Sequence, residues 1–142
     1  LGALTGSTRS PAVPCLRSML RSEVLTALHS LRQFRGGSGP EVLNCFRTDC
    51  EKSSLPIPRD NLDLSMLFAY GTHNEGVASH ASYRILAFIN RYDEIRTNRL
   101  HIGIAGALLG KHVRLHANSY YKVEAVFRHS LEGRFLNVEW MG

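Results

Sequence analysis

The sequence predicts an α+β domain, a mainly antiparallel β-sheet packed against one or two helices and preceded by an N-terminal amphipathic helix. Three observations predict it. Around the stretch Ser82–Ile95, apolar residues Ala78, Ala81, Ile85, Phe88, Ile89, Tyr92 and Ile95 recur at spacings of three and four, which puts one apolar stripe on a helix. Leu62, Leu64, Met66, Phe68 and Tyr70 alternate with other residues before it, the period of a strand. Several strand-like runs follow the helix in succession, and the order helix, strand, helix, strands implies an antiparallel sheet with helices on it.

Residues 1–13 read as an extended arm broken by Gly2, Gly6 and Pro11. From Pro14 to Arg35 a helix is expected, with Leu16, Leu20, Val24, Ala27, Leu28 and Leu31 as its stripe. Arg17, Arg21, Arg32 and Arg35 gather on another face. Gly36–Pro40 ends the helix, and divides an arm and helix (1–40) from a core (41–142). Residues 41–47 make a short turn of helix or strand, and 51–61 a loop with Pro56 and Pro58. Leu62–Tyr70 is the first long strand, Gly71–Gly76 a turn, and the main helix runs to about residue 95. Arg96–Arg99 is a polar link, His101–Leu109 a strand weakened by Gly103, Gly106 and Ala107, with a bent strand or short helix as the alternative, and Val113–Ala117 a short strand. The alternation over Tyr120–His129 and again over Phe135–Met141, with Leu131-Glu132-Gly133 between, predicts a C-terminal hairpin.

A chain of 142 residues with 44% apolar content is sized for one folded domain. Net charge is +5, and of its 17 basic residues only Lys52, Lys111 and Lys122 are lysines. Arginine's planar fork suits phosphates and carboxylates, so a nucleic acid, lipid headgroup or acidic protein is the expected class of partner. Cys15, Cys45 and Cys50 cannot all pair with one another, which points to a reducing compartment. No apolar run is long enough to span a bilayer, so the chain is not expected to be an integral membrane protein. It begins at Leu1, and the segment to Arg21 has no acidic residue but recurring Ser, Thr and Arg, similar to a mitochondrial transit segment.

Little in the sequence points to catalysis. Cys45, Cys50, His73 and His80 could supply a four-ligand zinc set, but the spacing is loose and no second tight pair accompanies it, so no metal is expected. His101, His112 and His116 cluster along neighbouring segments without a partnered nucleophile or a paired carboxylate motif, and are expected to be ordinary surface or core histidines. The Gly103, Gly106 and Gly110 spacing does not match a dinucleotide loop, and close backbone packing or approach of another subunit explains it better. No cofactor and no enzymatic activity are expected.

The run Tyr83-Arg84-Ile85-Leu86-Ala87-Phe88-Ile89 resembles the matrix proteins of rhabdoviruses, where a similar aromatic–basic–Ile–Leu run begins a helix after the first long strand. The Gly-containing apolar segment at 101–110 and Tyr120-Tyr121-Lys122-Val123 follow in a similar order, so the resemblance covers about residues 62–131. It implies a compact α+β domain with an antiparallel sheet. It also implies a non-enzymatic structural role in the virion and at the inner face of the host membrane: self-association, binding of the anionic membrane surface, and condensation of viral ribonucleoprotein. Neither a PPxY nor a PTAP-type budding motif accompanies it.

On that expectation Arg17, Arg21, Arg32 and Arg35 contact membrane or phosphate, while Tyr83, Ile85, Phe88, Gly103 and Gly106 mediate homo-oligomer formation. The alternative is an accessory structural subunit of a large mitochondrial assembly such as the mitoribosome. The acid-free N-terminus and the arginine excess favour it.

Overall fold

The computed structural model describes residues 12–33, 41–51, 53–70 and 74–142, with side chains in the first helix described for residues 17–29. Along the chain come α1 (Ala12–Gln33), β1 (Val42–Cys45), α2 (Leu64–Leu67), α3 (Glu75–Ile89), β2 (Glu94–Thr97), α4 (Leu100–Leu108), β3 (His112–Leu115), α5 (Lys122–Val126) with a π-helical turn Phe127–Leu131, and β4 (Val138–Trp140). The strands form one sheet in the order β1-β2-β3-β4, and every neighbouring pair is parallel. The architecture is therefore α/β, which corrects the expected antiparallel α+β sheet.

The correction has a definite origin. Two strands in sequence order can pair in parallel only through a crossover connection, usually a helix. His101–Leu109, expected as a strand, is the helix α4, and Tyr120–His129 is α5 with its π-helical turn. With both helical, each supplies the crossover that lets β2, β3 and β4 run in the same direction, as they do, and the C-terminal hairpin disappears. The alternation of Tyr121, Val123, Ala125 and Phe127 concealed a longer period. The buried positions are Val123, Phe127 and Leu131, four apart. In Leu62–Tyr70 the buried apolar residues are Leu64, Phe68 and Tyr70, and the segment is a loop and one helical turn and not a strand. The main helix stops at Ile89, and β2 occupies the end of the expected helix and the start of the polar link.

The core lies between the sheet and the helices. Leu43, Cys45, Ile95, Val113 and Leu115 project from the strands against Leu64, Phe88, Ile89, Ile102, Val123 and Phe127. Two glycines let α4 lie close on the sheet. A Cβ on Gly103 would sit 2.9 Å from Leu115 Cδ1, and one on Gly106 would sit 2.9 Å from Val113 Cγ2. Alpha4 ends in the paired bonds of a Schellman motif, Lys111 N–H to Gly106 O at 2.9 Å and Gly110 N–H to Ala107 O at 3.1 Å, with Gly110 at φ +71°. The opposite face of the strands carries a charged ladder of Glu94, Arg96, His112, Arg114 and Glu139.

Alpha1 is attached to the core through polar groups. Ser22 bonds the Tyr70 hydroxyl and His29 bonds Tyr92 Oη at 2.9 Å and Asp60 O at 3.0 Å, with Met19 packed on the apolar core, while Thr26 bonds within the helix, donating to Ser22 O at 2.8 Å. Its apolar stripe faces outward: Leu20, Val24 and Leu28 are 59%, 58% and 48% exposed. No helix among the described residues is long and apolar enough to cross a membrane. The expected arm falls largely, and the Gly36–Pro40 connector wholly, outside the described residues.

Candidate functional site

In an open parallel sheet the loops leaving the carboxyl ends of the strands converge on one edge, where ligands bind. Here those loops are 46–51 after β1, 98–101 after β2 and 116–121 after β3. A hydrogen-bonded frame locks them together. Thr97 Oγ1 donates to Cys45 O at 2.6 Å and accepts from Arg99 N–H at 2.9 Å. The buried Asn98 accepts from Arg47 N–H at 2.8 Å. Ser119 Oγ donates to Glu51 O at 3.0 Å.

Two arginines stand in this frame, each held by carboxylates. Arg99 makes a twin bond to Asp63, Nε to Oδ1 and Nη2 to Oδ2, both at 2.5 Å, and reaches Asp49 Oδ2 at 3.3 Å. Asp63 also accepts from Thr48 N–H at 3.0 Å and Thr48 Oγ1 at 3.1 Å. Arg47 forks onto Asp49 with two bonds of 2.9 Å and meets Glu51 at 2.6 Å. The hydrogen bonds from Arg47 hold the Asp49 carboxyl at about 2, well below the usual carboxylate range. The same contact raises the pKa of Arg47 further above its ordinary value.

Between these loops is a cavity of about 70 Å³. Arg47, Arg99 and Lys122 supply its cationic groups, with His101, Asn98, Asn118 and Tyr120 beside them. Because Arg47 and Arg99 are already paired, the free donors decide what the cavity takes. Lys122 has no ion-pair partner among the described residues, and Asn118 Nδ2 is buried without a hydrogen bond. The first turn of α4, residues Leu100 and His101, lines the cavity, and no side chain caps that helix. Its unpaired N–H groups and its dipole favour an anion. At about 70 Å³ the cavity has room for a phosphate or carboxylate head.

Sharing Asn118 and Tyr120 with it is an open cleft of about 220 Å³, lined also by Ser119, Tyr121, Glu124 and Trp140. Tyr121 is 82% exposed, and Trp140 stacks on Phe127 at 5.4 Å between ring centroids. A cleft of about 290 Å³ between α1 and α2 is larger, but it lies away from the loops between the strands, and its acid, Asp63, is committed to Arg99.

The residues singled out in the sequence are distributed differently. Arg17 and Arg21 are exposed on α1, whereas the Arg32 side chain and Arg35 lie outside the described residues. Tyr83 is exposed and Ile85 partly buried on α3, while Phe88, Gly103 and Gly106 face the chain's own core. Cys45 is buried, and burial pushes its thiol up to about 12; Cys50 is exposed. His73 is outside the described residues, His80 stacks on Tyr70, and no metal-ligating cluster exists among the described residues. Of the three clustered histidines only His101 lines the cavity. His112 joins the charged ladder, and His116 packs on Phe46. Arg47, Arg99, Asn118 and Lys122 were not expected as site residues. Arg47, Arg99 and Asn118 share only a position two or three residues past the end of a strand, and Lys122 opens α5, a signal legible only when the strands are placed.

No family model and no curated protein matches the chain. Among solved structures it is similar to a functionally uncharacterized protein of Klebsiella pneumoniae subsp. pneumoniae, with 33% identity and a TM-score of 0.63. The match covers 73% of this chain and 37% of that one, so the chain corresponds to little more than a third of the longer protein. In the α/β fold, Tyr83–Ile89 lies inside α3, which begins at Glu75, and no long strand precedes it among the described residues. The antiparallel architecture implied by the matrix-protein resemblance is absent.

Proposed function

We propose that this chain is the ligand-binding part of a small-molecule enzyme, taking a phosphate or carboxylate group in the cavity at the carboxyl ends of the strands. The observation that carries it is the set of unspent donors there: Lys122, Asn118 Nδ2 and the uncapped first turn of α4. The adjoining cleft fits a sugar-like ring. Tyr121 and Trp140 offer flat apolar faces, and Asn118, Ser119 and Glu124 offer hydrogen bonds to hydroxyls. His101 also lines the cavity, and its imidazole can donate or accept a hydrogen bond, which suits it to proton transfer beside a bound anion.

The only tryptophan, Trp140, reports on the cleft. Titration of its fluorescence with inorganic phosphate, glucose and glucose 6-phosphate tests the proposal. The sugar phosphate should bind about tenfold or more tighter than either part, and Lys122→Ala should lower its affinity about tenfold, near 1.4 kcal/mol. His101→Asn should leave binding intact. A response to the sugar phosphate that does not saturate, or that is unchanged in Lys122→Ala, rejects it.

A self-associating structural role remains the alternative proposal, supported by the exposure of Tyr83, Arg17 and Arg21. It expects polymers that grow with concentration and dissolve in salt.

A further inference from the structure

Alpha1 is inverted with respect to the usual rule. Its buried residues Ser22, Thr26 and His29 are polar and hydrogen-bonded, whereas Leu20, Val24 and Leu28, at intervals of four, stand about half exposed. A helix held by directional bonds on one side fixes what it presents on the other. Arg17 and Arg21 are exposed on the outward side, one turn and two turns from the middle of that stripe, and have no partner among the described residues. The carboxylate of Glu23 is neutralised by Arg84 at 2.5 Å. The outward face is therefore apolar along its centre and positive at its flank, with its one acid masked.

We propose that this face of α1 is a peripheral membrane-contact surface that lies in the headgroup layer of an anionic phospholipid bilayer. An interfacial helix needs an apolar face to enter the acyl boundary and basic side chains to meet the lipid phosphates. Leu20, Val24 and Leu28 supply the first, and Arg17 and Arg21 the second. The charge pattern favours a bilayer over a second copy. Among the described residues, a second copy would bring no free carboxylate on this face to meet Arg17 and Arg21, since Glu23 is held by Arg84. The contact is independent of the anion cavity, since Lys122 and α4 lie at the strand ends.

The test is co-sedimentation of the whole 142-residue chain with vesicles of phosphatidylcholine alone or mixed with phosphatidylglycerol. The chain should pellet with the mixed vesicles, only weakly with phosphatidylcholine, and less as salt rises. The exposed triple variant Leu20→Ser, Val24→Ser, Leu28→Ser should weaken binding at least about tenfold. Arg17→Glu with Arg21→Glu should do the same, each arginine being worth about fivefold near an anionic surface. Far-ultraviolet circular dichroism should confirm that both variants stay folded, and Lys122→Ala should bind vesicles normally. Equal pelleting with both vesicle types, or undiminished binding of the triple serine variant, overturns the proposal. So does a dimer that the triple variant dissolves while vesicles capture nothing, which would make the face an interface between copies.

Discussion

Removing the Asp63 carboxylate should destabilise the chain by about 3 kcal/mol, and the structure sets that size. Asp63 and Arg99 side chains are 5% and 11% exposed, so the pair is largely out of water. In a twin bond with charge centres about 4 Å apart, the attraction is about 4 kcal/mol at an effective dielectric constant of 20. Truncating one member of a buried pair costs about 3–5 kcal/mol because the other charge is stranded. Asp63→Ala belongs at the lower end, since Asp49 Oδ2 lies 3.3 Å from Arg99 Nη2 and keeps part of the charge paired. Thr48 adds to the cost, because its N–H and hydroxyl both lose their acceptor. Arg99→Met in the same background should recover much of the loss, giving a coupling of about 1.5–3 kcal/mol. Urea unfolding followed by circular dichroism measures both, provided the slope with denaturant is unchanged. A cost below about 1 kcal/mol for Asp63→Ala, or a double variant equal to the sum of the singles, refutes the claim that this pair fastens the site.

Gly106→Ala should destabilise by about 1–2 kcal/mol and Gly103→Ala by much less. Both gain up to about 1 kcal/mol of helix propensity, but Gly106 would press on the stiff Val113 and on Ile95 Cγ1 at 3.4 Å, whereas Gly103 meets the yielding tip of Leu115; equal urea midpoints would contradict this. Burial, then the charges of Arg96 and Arg114, lower the His116 pKa below 6.5, so the folded state holds it neutral and stability falls as pH drops below that value. His116→Gln should flatten this step in the urea midpoint, and an unchanged step would refute the assignment. Asp49 is held at about 2, below its ordinary 3.8, so its contribution is complete above 3.8 and disappears as pH falls towards 2. Glu94 acts in the same sense, because burial raises its pKa but the Arg96 hydrogen bond and neighbouring positive charges outweigh it. Acid unfolding should therefore steepen below about pH 4, and weaken in Asp49→Asn. Cys50 should react with a thiol reagent at mildly alkaline pH while Cys45 reacts only on unfolding; a Cys50→Ser chain that loses no fast-reacting thiol would refute this.

How much was legible in the sequence depended on the length of each period. Alpha1 and α3 were found because each carries several turns of stripe, although the stripe of α1 gave no hint that it faces outward. Burial of Ser22, Thr26 and His29 requires Tyr70 and Tyr92 to arrive from elsewhere, and that is tertiary information. The strands have three or four residues, too few for alternation to outweigh chance, and β2 was lost between a helix and a polar link. Alpha4 was mistaken because it is apolar almost all round and holds two glycines, which in isolation weaken either structure. On this sheet the same glycines permit close contact. The site followed the strands: without β1, β2 and β3 in register, Arg47, Arg99, Asn118 and Lys122 were four unconnected polar residues. His101 was noticed, but grouped with His112 and His116, which the fold separates from it.

The strictly sequential strand order has a practical corollary. Each connection that shapes the recognition edge is bracketed by adjacent strands, so its length and chemistry can be altered without rethreading the sheet. The 116–121 segment joins the two cavities through Asn118 and Tyr120 and is the natural place to graft diversity. A library confined to Ser119, Tyr120 and Tyr121 would vary what is recognised while leaving the Schellman-capped α4 and the strands beneath it untouched.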